Sequence, residues 1–362
     1  MKKWTVIVLC MIELFCLSPS SNSQASNGSM HNFIPANNKD IQYIGRMDFS
    51  NPLAPKFWAP GAYIKAKFRG TYCNAVIKDQ HQYGNNNNYL EIRIDHGTPT
   101  RIQTTGTTND ISLAKNLSPG VHTVTICKDT EASIGYIEFI GFQCDGLLPP
   151  GKEPKRKIEF IGDSITCGFG DDTSKVPCGK GQWYDQHNAY LSYGPITARA
   201  LDAQWHITAY SGIGLIHSCC NMTFTMPELW DTVNLQLNGP IYNVKEYQPD
   251  VVTICLGEND GIQPEEEFVG SYIRFISNLR KAYPKAEIVC LTSPMAWPAL
   301  NTALQKDLTI IVNRCHSLGD NRVHKFFFTQ DWGGGCGGHP DLAGQRAMAN
   351  EVTAYLKKLM HW

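Results

Sequence analysis

A chain of 362 residues is long enough for two domains of ordinary size, each with its own core. Its 32 Lys and Arg are balanced by 33 Asp and Glu, a formal net charge of -1, so no cationic surface invites a nucleic acid or an anionic membrane and a neutral partner is expected. With 42% hydrophobic and 18% charged residues the composition is that of an ordinary globular protein, and beyond the N-terminus no run approaches the ~20 apolar residues of a membrane span.

In chain order, Lys2 and Lys3 precede an apolar run that closes on the small-residue site Ser23-Gln24-Ala25. That is the layout of a secretory leader cleaved near Ala25, so residues 1–25 are set aside and an exported protein, periplasmic or extracellular, is expected. Phe15 before Cys16 is too large for a lipoprotein-type cleavage site, which favours a soluble product over a lipid-anchored one. Of 13 cysteines, Cys10 and Cys16 leave with the leader; the remaining eleven are an odd number, so at least one thiol stays unpaired within the chain. Cys73, Cys127, Cys255 and Cys290 lie in strand-like apolar runs, where cysteine behaves as a small hydrophobe. Cys219 and Cys220 are adjacent, and Cys167, Cys178 and Cys336 sit in Gly-rich loops suited to a disulfide in an export compartment. No Cys-x2-Cys or His-x3-His pair is present, and no metal site is expected.

Residues 26–148 carry short alternating or apolar runs, "AYIKAKFRG", "NAVIKD", "YLEIRID", "HTVTICKD" and "YIEFIGFQC", parted by Gly, Asn, Pro and Asp, which is the pattern of a β-sandwich. The tract "GNNNN", 84 to 88, reads as a loop tip with little to bury. The Pro, Gly and Lys cluster over 149–157 reads as a linker. From 158 to 362 strands alternate with helices. Strands are predicted at Lys157–Ile161, Trp205–Tyr210, Val251–Leu256, Glu287–Leu291 and Val323–Phe328, with amphipathic helices in "EEEFVGSYIRFISNLRKAY", "LQKDLTIIVNRCHSLG" and "DLAGQRAMANEVTAYLKKLM". This alternation means an α/β domain with a parallel sheet covered by helices on both faces, whose ligands bind beyond the carboxyl ends of the strands.

Three loops fall at that edge: Ser164 after the first strand, Ser211 to Gly214 after the second, and Gly257-Glu258-Asn259-Asp260 after the third. A hydrolase needs a nucleophile, a base and donors for the developing oxyanion. Ser164 supplies the first; taken alone, such a serine is more often a helix cap than a nucleophile. The backbone N–H groups of Ser164 and of Gly214 or Gly212, with the side-chain amide of Asn259, supply the donors. His339, in "GGGCGGHPDLAGQ", supplies the base. Coincidence of all of them at one rim favours the chemical reading over the capping one.

"GDSIT", "YSGIGL", "LGEND" and the late His-Pro resemble the sequence blocks of the SGNH (GDSL-type) hydrolases. More narrowly, "YIGRMDFSNPLAPKFWAPGAYIKAKFRGT", "IEFIGDSITCGFG", "YGPITARAL" and "TMPELW" resemble the acetyl esterases of carbohydrate esterase family 2. The resemblance implies a jelly-roll domain followed by a flavodoxin-like three-layer SGNH domain, Ser164 as nucleophile, His339 as base, and an oxyanion hole of Ser164, a second-block glycine and Asn259. It implies an acetylated carbohydrate as substrate, by way of an acyl-enzyme, with no metal or organic cofactor. A monomer is expected. The chain departs from the family where Cys336 stands for the Asp that most SGNH enzymes carry three residues before the His, and where Gly337 stands for the Asp of many family members; the third block has Glu258 for the usual Thr. A backbone carbonyl is then the simplest partner for the His339 Nδ1–H, with Asp331 as a stand-in acid and Asp163 an anchor of the nucleophile turn. Trp183, Trp230, Trp297 and Trp332 fall in or near rim loops as candidate sugar platforms, Trp332 foremost, and Tyr184 lies beside Trp183. A lipolytic or thioester-cleaving SGNH enzyme and a catalytically decayed carbohydrate-binding protein are the alternatives.

Overall fold

The computed structural model describes residues 32–362 together with the first two, and the leader expected over residues 1–25 lies, apart from those two, outside the described residues. Asn32–Trp362 fold as one unit. Its N-terminal part is two antiparallel sheets. In one, the strands run in the order Asn32–Pro35, Ile137–Cys144, Cys73–Asp79, Thr108–Ala114, with Lys56–Phe57 also on Ile137–Cys144. In the other, the order is Leu147–Leu148, Tyr63–Arg69, Val121–Lys128, Tyr89–Ile94, Thr100–Gln103, with Ile41–Ile44 beside Tyr63–Arg69. Side chains alternate across each strand, so Phe68, Ile77, Ile126 and Phe139 meet in one core between the sheets. One residue of the Asn run departs from the loop-tip reading. Asn88 is fully buried, its Nδ2 donating to Asp79 Oδ1 at 2.9 Å and its Oδ1 accepting from Thr130 Oγ1 at 2.5 Å.

Five parallel strands come next in the chain, Arg156–Gly162, Ala203–Ala209, Val251–Cys255, Glu287–Leu291 and Val323–Phe326, in the spatial order second, first, third, fourth, fifth. The second starts two residues earlier than its apolar run suggests, because Ala203 and Gln204 still pair with Arg156 and Lys157. The first helix, α1 (Ser164–Cys167), is a single turn at the end of the first strand. Helices α2 (Tyr193–Ala200) and α6 (Leu342–Met360) cover one face, packing Tyr193, Met348 and Val352 with Phe160 and Ile207. On the other face α4 (Glu265–Ala282) and α5 (Pro298–Ser317) bring Phe268, Tyr272, Leu304 and Leu308 against Ile161 and Ile254. The short α3 (Met226–Leu229), started by a capping box of Thr225 and Glu228, adds Met226 and Leu229 to that second core. Charge at its ends suits α4: Glu265, Glu266 and Glu267 fill the first turn, Arg280 and Lys281 the last. Where the strand order reverses, on either side of the first strand, the loops part and leave a crevice at the carboxyl edge. Ser164 stands there.

The sandwich is joined to the sheet by charge as well as by packing. Arg46, from the sandwich, donates to Glu159 Oε1 of the first strand at 2.8 Å, and both side chains are buried. Arg46 also donates to the carbonyls of Thr232, at 2.9 Å, and Trp230, while Thr208 Oγ1 donates to the same Glu159 oxygen at 2.7 Å. Removing one partner leaves a buried, uncompensated charge. Arg46→Met is therefore expected to cost about 3–5 kcal/mol in urea unfolding, with a large part recovered when Glu159 is made Met as well.

Candidate active site

Ser164 opens α1 directly after the first parallel strand. The turn between them admits only glycine at 162, since a Cβ there would lie 2.0 Å from Thr166 Oγ1 and 3.0 Å from the Cys255 carbonyl oxygen. Asp163 caps the helix: its Oδ1 accepts the Ile165 N–H at 3.0 Å. Burial, with Glu258 and Asp260 nearby, pushes its carboxyl up to about 8 against the opposing Ile165 bond. It makes no bond to His339, and it anchors the turn. As the first residue of a helix, Ser164 has an N–H without an intrahelical acceptor, and it finds none among the described residues.

His339 Nε2 lies 2.8 Å from Ser164 Oγ. Its other nitrogen, Nδ1, is 3.0 Å from the Cys336 carbonyl oxygen. A carbonyl only accepts, so Nδ1 carries the hydrogen and Nε2 presents a lone pair to the serine hydroxyl, the tautomer a general base needs. Asp331 is not the orienting group: it is exposed and acts electrostatically on Glu258. Gly337, at φ 63°, shapes the turn that brings the Cys336 carbonyl under the ring, and its own backbone adds a weaker pull on the imidazole. Cys336 is itself held, its N–H donating to the Gly170 carbonyl at 2.8 Å and its sulfur joined to Cys178. The Phe169 ring packs 4.4 Å from the imidazole. Burial lowers the His339 pKa below its ordinary value, against the opposing pull of the Cys336 carbonyl. A base works in its neutral form, so the acid limb of kcat/KM is expected below about pH 6.5, and a rate titrating above that value contradicts this environment.

Gly212 N–H also has no acceptor among the described residues. Its φ is 82°, and a Cβ would meet Cys219 Sγ at 2.7 Å and Met222 Cε at 2.8 Å, so the position is open to glycine alone. Gly214 is not a donor to the site: its N–H goes to Ser218 Oγ at 3.0 Å, and a Cβ would stand 1.9 Å from the His217 carbonyl oxygen. Its glycine serves close packing. Asn259 Nδ2 donates to the Ile213 carbonyl at 2.9 Å, which fixes the amide, and makes a longer contact of 3.3 Å with Asp163 Oδ2 that an oxyanion can displace. Asp260 ties the loops together by accepting from the N–H groups of Leu215, Ile216 and His217 at 2.8, 2.7 and 3.0 Å.

Ser164 and His339 line a cavity of about 460 Å³ with Gly212, Asn259 and Glu258. Of the four candidate tryptophans only Trp183 lines it, half exposed and stacked on Phe169 at 5.9 Å. Trp332 packs against the core of α2 and α6; Trp230 is buried against Phe275 and Tyr283; Trp297 is exposed at the start of α5, outside the lining. Tyr184 is buried, its hydroxyl accepting the Asn87 N–H. The sequence reading missed Phe169, Tyr210, Met222 and Met295 in the wall, and Ser133, which comes from the sandwich. The wall also contains a disulfide between adjacent residues, Cys219–Cys220. Cys167 stays a free thiol, buried in α1. Among the described residues no cluster of three or more His, Cys, Asp or Glu is arranged to hold a metal.

Residues 43–150 match the family described as carbohydrate esterase 2 N-terminal, and residues 160–347 the GDSL-like lipase/acylhydrolase family. The chain belongs to carbohydrate esterase family 2. It is 34% identical over 334 residues to a cellulase/esterase, CelE, of Acetivibrio thermocellus, covering 90% of this chain and spanning 40% of the length of that relative. It is 29% identical to an acetylxylan esterase / glucomannan deacetylase of Cellvibrio japonicus over 98% of both chains. The solved structure of a family two carbohydrate esterase from Clostridium thermocellum in complex with cellohexaose superposes with a TM-score of 0.82 at 34% identity, covering 89% of this chain and 99% of that one. This family 2 esterase is accordingly a carboxylic ester hydrolase, with a jelly roll preceding a flavodoxin-like sheet.

Proposed function

We propose that this esterase removes O-acetyl groups from plant polysaccharides or the oligosaccharides cut from them, outside the cytoplasm, as a monomer. One observation carries the mechanism: Ser164 Oγ stands 2.8 Å from a correctly tautomerised His339 in a cavity where two backbone N–H groups are unclaimed. Ser164 Oγ attacks the acetyl carbonyl as its proton passes to His339 Nε2. The carbonyl oxygen, now negative, faces the N–H groups of Ser164 and Gly212 and the Asn259 amide. His339 then returns the proton to the departing sugar oxygen, and water, deprotonated by the same nitrogen, releases acetate from the acyl-enzyme. An assembled nucleophile and base count against a site decayed to carbohydrate binding. Acetate release from acetylated xylan and glucomannan, run beside nitrophenyl acetate and nitrophenyl decanoate, tests the reading. Preference for the decanoyl ester, with no acetate from either polysaccharide, replaces it with a lipolytic one.

A further inference from the structure

The N–H of Ser211, the residue before Gly212, donates at 2.8 Å to Glu131 Oε2. Glu131 is no part of the parallel sheet. It sits in the sandwich, in the loop between Val121–Lys128 and Ile137–Cys144, and it is fully buried. Its other oxygen lies 3.3 Å from His187 Nε2. His187, also fully buried, is 4.4 Å from the Phe169 ring, and Phe169 is 4.4 Å from the ring of His339. His187 Nδ1 accepts the Gly170 N–H at 3.4 Å, so the hydrogen resides on Nε2: a neutral imidazole set 3.3 Å from a carboxylate oxygen, close to it but not aligned for a hydrogen bond. The loop is held rigidly. Lys128 Nζ donates to the carbonyls of Thr130, at 2.6 Å, and Glu131, at 3.0 Å, and Thr130 Oγ1 donates to the buried Asn88. Two residues on, Ser133 lines the catalytic cavity.

Burying a carboxylate is costly unless it is hydrogen-bonded, and a role in packing alone is served at lower cost by an apolar side chain. Lys128, the buried cation closest in sequence, spends its bonds on the Thr130 side chain and on carbonyls, and none on Glu131's carboxylate. The charge is directed instead at the backbone next to Gly212 and at the imidazole behind Phe169. We propose that Glu131 is a positioning residue of the esterase reaction: it fixes the Ser211–Gly212 peptide so that the Gly212 N–H faces the oxyanion, and it lends His339, which has no carboxylate of its own, an anionic field from the sandwich domain. The sandwich thereby completes the active site. This rests on the ester-hydrolase reading of Ser164 and His339.

The pH readout is set by the charges around the pair. Burial lowers the His339 pKa, whereas Glu131 raises it; His187, Lys128, Arg101, Asp185, Cys167 and Tyr210 are the other ionisable groups around the pair. Glu131→Gln keeps an oxygen for the Ser211 N–H and removes the charge; Glu131→Ala removes both. In the full chain with nitrophenyl acetate, Glu131→Gln is expected to lower kcat about tenfold, leave KM within about threefold, and move the acid limb of kcat/KM to lower pH. Glu131→Ala is expected to lose about 10²-fold in kcat, the size of losing one oxyanion donor. The proposal is overturned if the Gln variant keeps the wild-type kcat, if its acid limb does not move, or if its loss of rate equals its loss of folded sites by active-site titration. Should Glu131→Ala fail to fold, the Gln variant decides alone. A wild-type protein that releases no acetate defeats the hydrolase reading instead, so the two failures are distinct.

Discussion

Ser164→Ala and His339→Ala are each expected to lower kcat on an acetylated sugar by about 10⁵–10⁶-fold, with the double variant no worse than either single one. The non-additivity is the informative part. Nucleophile and base act as one unit across the 2.8 Å contact, so removing either idles the other. A residual rate, about 10³-fold over water, is expected to survive, because the N–H groups of Ser164 and Gly212 are backbone and outlast both substitutions. Binding of the deacylated oligosaccharide is expected to stay within about threefold, since neither substitution removes Trp183, Phe169 or the disulfide wall. Acetate release measured against calorimetric binding separates the terms. A Ser164→Ala variant that still deacetylates within about tenfold of wild type places the nucleophile elsewhere.

The parts of this molecule visible in the sequence are those written in periodicity and in residues with fixed chemistry. Val251 to Cys255 and Glu287 to Leu291 are short apolar runs between helical patterns, and the fold makes them central parallel strands with little choice of boundary. Gly212 is legible only as one of two second-block glycines that could offer an N–H. Gly214 looks the same on paper. Only the tertiary path of His217 and Ser218 shows that its N–H is already taken. Tryptophans mislead for a similar reason: Trp230 and Trp332 lie near the rim in sequence yet turn inward to the cores, because a large apolar ring is worth about 2–3 kcal/mol when buried. Asn88 is buried because Asp79 and Thr130 satisfy its amide, and neither is its sequence neighbour. Glu131 was invisible, since its target is a backbone N–H eighty residues away in another domain.

For the group behind His339 the missing acid points to a backbone carbonyl without saying which; it is that of Cys336, and it leads to the second large effect. Cys178→Ser, which breaks the Cys178–Cys336 disulfide without altering the Cys336 peptide, is expected to lower kcat by about 10–10³-fold with KM nearly unchanged. The ceiling is set by the wrong tautomer: where a serine hydrolase loses the group that selects Nδ1–H, the rate falls by about 10⁴. The loss should stop short of that, because Cys336 retains its N–H bond to Gly170, and Gly335 still donates to the His339 carbonyl at 2.8 Å, so the loop is loosened and not released. Stability falls too. The bridge closes a separation of 158 residues, and by chain-entropy reasoning its removal costs up to about 5 kcal/mol. Rates must therefore be taken well below the melting temperature and normalised to titrated sites, so that lost geometry is not confused with lost protein. A reductant is the wrong tool, since it opens Cys219–Cys220 in the cavity wall as well. If Cys178→Ser and Cys336→Ser both keep kcat within about threefold per active site, the hydrogen bonds to Gly170 and Gly335 suffice to hold the carbonyl under the imidazole, and the disulfide serves the fold alone.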